Sequence, residues 1–366
     1  MFALVLSIIF IFVSGCEPNK EKSVTGDYFN RSPGELKSVT IVPDSISTGV
    51  QYHAEIGNAA NTLAGIYKDV SAFSVFKFFK LSQSVLDSLY DAKMVITVKG
   101  IWKNGDFEFG LYRTISDWSD TTRLDYDTFH TGLGSPISVV SDTSSSVSTL
   151  TFDVNHDEFE SWEDYGSFLI KNTDTGTGLI SISSDNSISS PYIEIVTHNS
   201  GILDTTKVKS VGGTYYINLD IEGIDSDKPV LSDGGASGFV LKINLPDFAP
   251  SPTAINKCIL TMTLKENQYL IPTNSMPVLI YMLTEEFTTF EEIKTESGNS
   301  KDFVITPDVF SYIIDISDFI NDWYNLEKSN HGLLFKPSPI STSPNYAVIE
   351  PSDSLVITYT TLPEVH

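Results

Sequence analysis

Apolar and polar residues alternate in short runs along most of this chain. Val95-Ile96-Thr97-Val98, Lys257-Cys258-Ile259-Leu260-Thr261-Met262 and Tyr312-Ile313-Ile314-Asp315-Ile316 show the period of two that puts one face of a strand inward. Loops rich in Asn, Asp, Gly, Ser and Pro separate the runs, as strand punctuation requires. Helical periodicity is scarce. Ser82 to Leu89 predicts one or two turns, and Ser317 to Tyr324 predicts another, with Ser317 as N-cap. Two departures from alternation matter. Phe2 to Val13 is a continuous apolar and small-residue run, and Glu17 to Lys37 has few large apolar residues.

The pattern occurs twice. Asp153 in a strand is followed by a short turn with Trp162, then Gly166, an apolar strand ending at Lys171, and a closing strand Tyr192–Thr197. Asp315, Trp323, Gly332, Lys336 and Leu355–Thr360 repeat that order. Upstream, Ser74–Phe78 resembles Phe239–Ile243, and Lys93–Val98 resembles Lys257–Met262. Leu111-Tyr112 with Trp118 resembles Ile280-Tyr281 with Phe287. Seven features in one order predict a duplicated domain, and a solenoid would have a shorter period. With about eight short strands in each copy, the expectation is an all-β protein of two tandem jelly-roll-type β-sandwich domains. The first would span residues 38–199 and the second 200–362.

Phe2 to Gly15 is too short to cross a bilayer as a helix and has the length of a signal-peptide core. Val13-Ser14-Gly15-Cys16 resembles the bacterial lipobox. That resemblance implies removal of residues 1–15, a lipid on Cys16, and a location in the cell envelope, anchored at the outer membrane or cell surface. Departing from such signals, no Lys or Arg follows Met1. Residues 16–37 would then be a flexible tether, since their composition cannot bury enough surface to offset chain entropy.

The stretch Asp315 to Trp323, then Asn330-His331-Gly332-Leu333-Leu334-Phe335-Lys336, then Leu355 to Tyr359, resembles the end of DNRLRE-type domains, which overlap carbohydrate-binding module family 96. The first half departs from that pattern, with Tyr165-Gly166 in place of Asn-x-Gly. The resemblance implies a jelly roll on a secreted bacterial protein and a polysaccharide, in some members an acidic one, as partner.

Charge and chemistry refine this picture. Asp and Glu number 47 against 23 Lys and Arg, a net charge of −24. That excludes nucleic acid as a partner, whose phosphates need cations, and leaves the lipid as the link to the membrane. With only two cysteines, Cys16 and Cys258, no disulfide framework and no cysteine zinc site can form. No nucleophile, zinc-protease or phosphate-loop motif is present, and the six histidines are scattered. The expectation is therefore a non-catalytic protein that binds carbohydrate or adheres. A structural surface subunit and a polysaccharide-active enzyme are the alternatives. Sugars stack on aromatic faces, so Trp102, Tyr112 and Trp118, with Arg113 for an acidic group, are the candidate ligand-binding residues. Tyr126, Tyr281, Arg123, Lys77 and Lys242 stand behind them. No cofactor or catalytic metal is expected. The loops Asp225-Ser226-Asp227 and Asp233-Gly234-Gly235 leave room for a structural calcium, although a plain turn is the simpler reading.

Overall fold

The computed structural model describes residues 35–41, 45–49, 61–103, 106–114, 118, 133–142, 147–173, 177–184, 188–221, 228–235, 237–245, 252–288, 292–324, 328–338, 343–350 and 354–361. Cys16, the expected signal peptide and nearly all of the tether lie outside them, as do Arg123, Tyr126 and Asp225–Asp227. Among the described residues, no helix is long and apolar enough to cross a membrane.

The alternating runs are strands, as their pattern requires. In chain order they begin with β1 (Leu36–Ile41), β2 (Ser45–Gly49), β3 (Asn61–Tyr67), β4 (Val70–Phe79), β5 (Leu89–Trp102), β6 (Phe107–Thr114), β7 (Ser138–Asp142) and β8 (Thr149–Asp153). Next come β9 (Tyr165–Asn172), β10 (Gly178–Ser183), β11 (Tyr192–Asn199), β12 (Ile202–Lys209), β13 (Gly212–Leu219), β14 (Val230–Ser232) and β15 (Gly238–Lys242). The last are β16 (Pro252–Leu270), β17 (Met276–Leu283), β18 (Thr295–Ile305), β19 (Ser311–Asp315), β20 (Leu333–Pro337), β21 (Tyr346–Ile349) and β22 (Leu355–Thr361). Among the described residues, three short helices, α1 (Gln83–Leu86), α2 (Asp157–Glu160) and α3 (Ser317–Tyr324), sit where helical periodicity or the Trp-bearing turns were expected.

Every strand pairing among the described residues is antiparallel, and the strands make two β-sandwich lobes. In the first, β12-β11-β5-β8 faces β13-β4-β9-β6-β7, with β3 and β10 joining the layers at one side. Ala92, Met94 and Ile96 of β5 and Ile193 and Ile195 of β11 meet Phe76, Phe78, Phe109 and Phe168 in an apolar core. In the second lobe, β1-β22-β16-β19 faces β2-β15-β20-β17-β18, and Cys258, Leu260, Ile280, Phe335 and Ile357 fill the space between. Burial of these inward positions is what selects the register, because a slip of one residue would turn every apolar side chain to water.

The two lobes repeat each other strand for strand. The pairs β5–β11, β5–β8, β4–β9 and β6–β9 have counterparts in β16–β22, β16–β19, β15–β20 and β17–β20. The register agrees too: Leu111 faces Ile170, and Ile280 faces Phe335. The Trp on each short turn closes a sandwich end, Trp162 at 4% and Trp323 at 3% exposure.

Pairing departs from the expected division of the chain. A cut between residues 199 and 200 falls in the two-residue turn of the β11–β12 hairpin, where Ser200 and Gly201 have φ of 52° and 85°. β12 pairs with β11 and β13 pairs with β4, so residues 202–219 belong to the first lobe. Conversely, β1 pairs with β22 and β2 with β15, so residues 36–49 complete the second. The physical reason is that the closing strand leaves a free edge, and a tight turn delivers the next strand straight onto it.

A third apolar cluster seals the lobes together, with Leu63, Val70, Leu179, Tyr215 and Ile217 from the first against Leu270 and Tyr346 from the second. Tyr215 donates to the Gly234 carbonyl at 2.6 Å, and Tyr346 donates to the Asp69 carboxylate. Asp233 is buried here, accepting from Ser343 Oγ at 2.9 Å and Asn345 Nδ2 at 2.6 Å. Its loop, Asp233–Gly235, is a turn, and both of these donors meet the same carboxylate oxygen, Oδ2.

Candidate functional site

The candidate residues are gathered at the end of the first lobe where β4, β9 and β6 run side by side. Lys77 stands opposite Ser167, Phe79 opposite Tyr165, Thr114 opposite Ser167 and Arg113 opposite Phe168. Alternation sends Lys77, Tyr165, Ser167 and Thr114 to the outer face of the sheet. Arg113 points to the inner face, beyond the core, and its guanidinium donates to Ser161 Oγ on the turn after α2. Between these elements lies a groove of about 450 Å³, lined by Lys77, Arg113, Ser161, Tyr165 and Ser167, with Glu163 and Asp164 on the same turn.

The Trp of the β6–β7 connection holds this groove in shape. Trp118 is 3% exposed and packs on Phe73, Val75, Tyr112 and Leu169. Its indole N–H donates to Ser167 Oγ at 3.1 Å. The Lys77 ammonium donates to the Trp118 carbonyl at 2.6 Å and lies 5.4 Å from the Trp118 ring and 5.0 Å from the Tyr165 ring. Such cation–π contacts orient the charge. Tyr165 and Phe79 are roughly half exposed and pair at 5.2 Å, presenting aromatic surface beside the charges.

Three of the four predicted residues are placed otherwise than an aromatic sugar platform requires. Trp118 and Tyr112 offer no open ring face: they are 3% and 6% exposed and pack in one cluster with Phe73, Val75 and Leu169. Trp102 ends β5 and packs half-buried against the seam between the lobes. Arg113 alone lines the groove. Sequence reasoning passed over Tyr165, Phe79 and Ser161. The one signal for Phe79 was its outward phase on β4; nothing local marked Ser161, which arrives from a different element.

The second lobe repeats the support but not the site. Lys242 lies 5.5 Å from the Phe287 ring and Lys336 4.8 Å from the Tyr281 ring, matching Lys77 on Trp118 and Lys171 on Tyr112 at 5.1 Å. Half-burial holds the Lys336 ammonium below the usual lysine range. The position of Arg113, opposite Phe168, is taken by Met282, opposite Leu333, which is 1% exposed.

Among the described residues, His156, Asp157 and Glu160 bring ligand atoms close enough for a metal. All three are exposed, and an acidic first turn beside a histidine is an ordinary solvated helix face. Cys258 is wholly buried, and burial followed by the nearby Asp315 charge pushes its thiol up to about 12, so it is inert as a nucleophile. No family model matches the chain, and no curated protein sequence matches it.

Proposed function

We propose that this protein is a non-catalytic envelope lipoprotein of two tandem jelly-roll-type sandwiches, held by a lipid on Cys16, and that its first lobe binds an acidic glycan. One observation carries the reading. On a chain with net charge −24, two cations, Lys77 and Arg113, line one groove with half-exposed Tyr165 beside them. A uronate carboxylate suits a guanidinium and an ammonium, and the Tyr165 ring suits a pyranose face. The resemblance of the chain to DNRLRE-type domains supports the same ligand class. Met282 in place of Arg113 makes the second lobe a support rather than a second binder, so two-site avidity is not expected.

The test is calorimetric titration with oligouronates and with neutral oligosaccharides of the same length. Saturable binding of the acidic series alone is expected. Arg113→Ala and Lys77→Ala should each weaken it about tenfold or more, since a charged hydrogen bond contributes about 1.5–3 kcal/mol. Met282→Ala should leave it unchanged. Equal affinity in both charge variants would remove the groove from the ligand. Shortened oligosaccharide after long incubation would replace binding by catalysis.

A further inference from the structure

The consecutive strands β1 and β2, one in each layer of the second lobe, fill the place that β12 and β13 fill in the first. β1 pairs with β22 from Leu36↔Thr360 to Ile41↔Leu355, and β2 pairs with β15 from Gly238↔Gly49 to Lys242↔Ser45. β12 and β13 do the same to β11 and β4. What differs is the tie. β12 follows its partner after a two-residue turn, and β13 buries Gly212 to Tyr215. β1 and β2 have no such tie to the lobe they complete: Gly49 and Val230, the next strand residue of that lobe, stand 181 residues apart.

The side chains of β1 add little hold. They alternate between exposed and half-buried, Leu36 is 67% exposed, and Val39 and Ile41 only rest on the edge of the core. β1 is therefore kept in place chiefly by backbone hydrogen bonds, which any copy of the same strand supplies equally well. Elements held in this way open at low cost.

We propose that the second lobe accepts strands β1 and β2 of another copy of this chain, so that copies join head to tail by strand exchange. The donor's own β22 and β15 edges are then free for a third copy, and a contact of this kind does not close on itself. In dilute solution the chain's own strands win, because their connection through residues 50–60 gives them a high effective concentration. Crowding at a surface favours the exchanged form by mass action.

Two full-length variants test this, Ser38→Cys and Thr358→Cys, each with Cys16→Ser; Ser38 faces Thr358 across the β1–β22 pair. Mixed and oxidised, they should give a disulfide-linked dimer containing one of each. Its ratio to monomer should rise with protein concentration and collapse with excess synthetic peptide 35–49. The double variant, dilute, should close internally as a monomer. A mixture that yields no mixed dimer at high concentration, while the double variant closes, overturns the proposal. So does a dimer that the peptide leaves untouched, and so does a double variant that does not close.

Discussion

Gly166 shows how a single residue serves both packing and site. A Cβ there would stand 1.7 Å from Trp162 Cε2, so the glycine exists to let the indole lie against β9. Gly166→Ala should therefore cost about 1–3 kcal/mol through forced displacement of Trp162, seen as a lower denaturant midpoint. Trp162→Ala should cost about 3–5 kcal/mol by opening a cavity at the lobe end. Both should also disturb Arg113, whose partner Ser161 precedes Trp162. Trp118→Phe probes a different link. It deletes the bond to Ser167 while keeping a ring near Lys77, so oligouronate binding should weaken severalfold with little change in thermal midpoint. An unchanged affinity would show that Lys77 needs no such support.

At the scale of an element, the turn into α3 replaces the expected cap. Ser317 was predicted as N-cap; it lies within the first turn instead, giving its N–H and its O–H to the Asp315 carboxylate. Ser317 Oγ also accepts the Cys258 N–H at 2.7 Å, tying helix to strand. Burial opposes ionisation of Asp315, but the Ser317 side-chain and backbone bonds and the charges of Lys301 and Lys257 outweigh it, so its pKa lies below the usual value. A depressed folded value means stability is present above the unfolded pKa, about 3.9, and is lost as pH falls through the folded one. Acid unfolding should therefore begin earlier in Asp315→Asn at mid-range pH and show a shallower dependence below about pH 4. Parallel acid titrations by circular dichroism check this. Identical acid limbs would mean that the turn contributes nothing through charge.

The whole molecule depends on the seam between its lobes. Burial, then the Asp233 charge, raises the Tyr215 pKa; burial, then the Asp69 hydrogen bond and charge, raises that of Tyr346. Groups with raised folded values stabilise fully below the unfolded pKa, about 10, and lose that contribution as pH rises beyond it. The protein should unfold in alkali from about pH 10 upward, and Tyr215→Phe combined with Tyr346→Phe should flatten that limb. Tyr346→Phe alone should cost about 1–3 kcal/mol near neutral pH, because Asp69 loses the phenol that bonds it. A single cooperative transition that survives both substitutions would place the coupling of the lobes in apolar contact alone.

Much of this was legible in the residues. Alternation located strands such as β5, β16 and β19, because a half-buried strand must place every second side chain inward. The internal repeat announced paired lobes, and Lys77 with Trp118 and Lys242 with Phe287 carry the likeness down to single contacts. The site was less legible. Arg113 was singled out, yet its partner Ser161 is 48 residues on, and no periodicity links them. Tyr112 and Trp118 looked available for a ligand because a single strand or loop does not reveal what lies over it.

The amino-acid order by itself determined the all-β character, the twofold repetition and the inward face of each strand, since those follow from local spacing and from the burial of alternate side chains. Only the tertiary structure decided which edge β1 and β2 join and which aromatics stay open to solvent. Both depend on competition among distant, nearly equivalent strand edges and surfaces. Local spacing is blind to that competition: a tight turn hands β12 to β11, but nothing within β1 marks β22, at the far end of the described residues, as its partner.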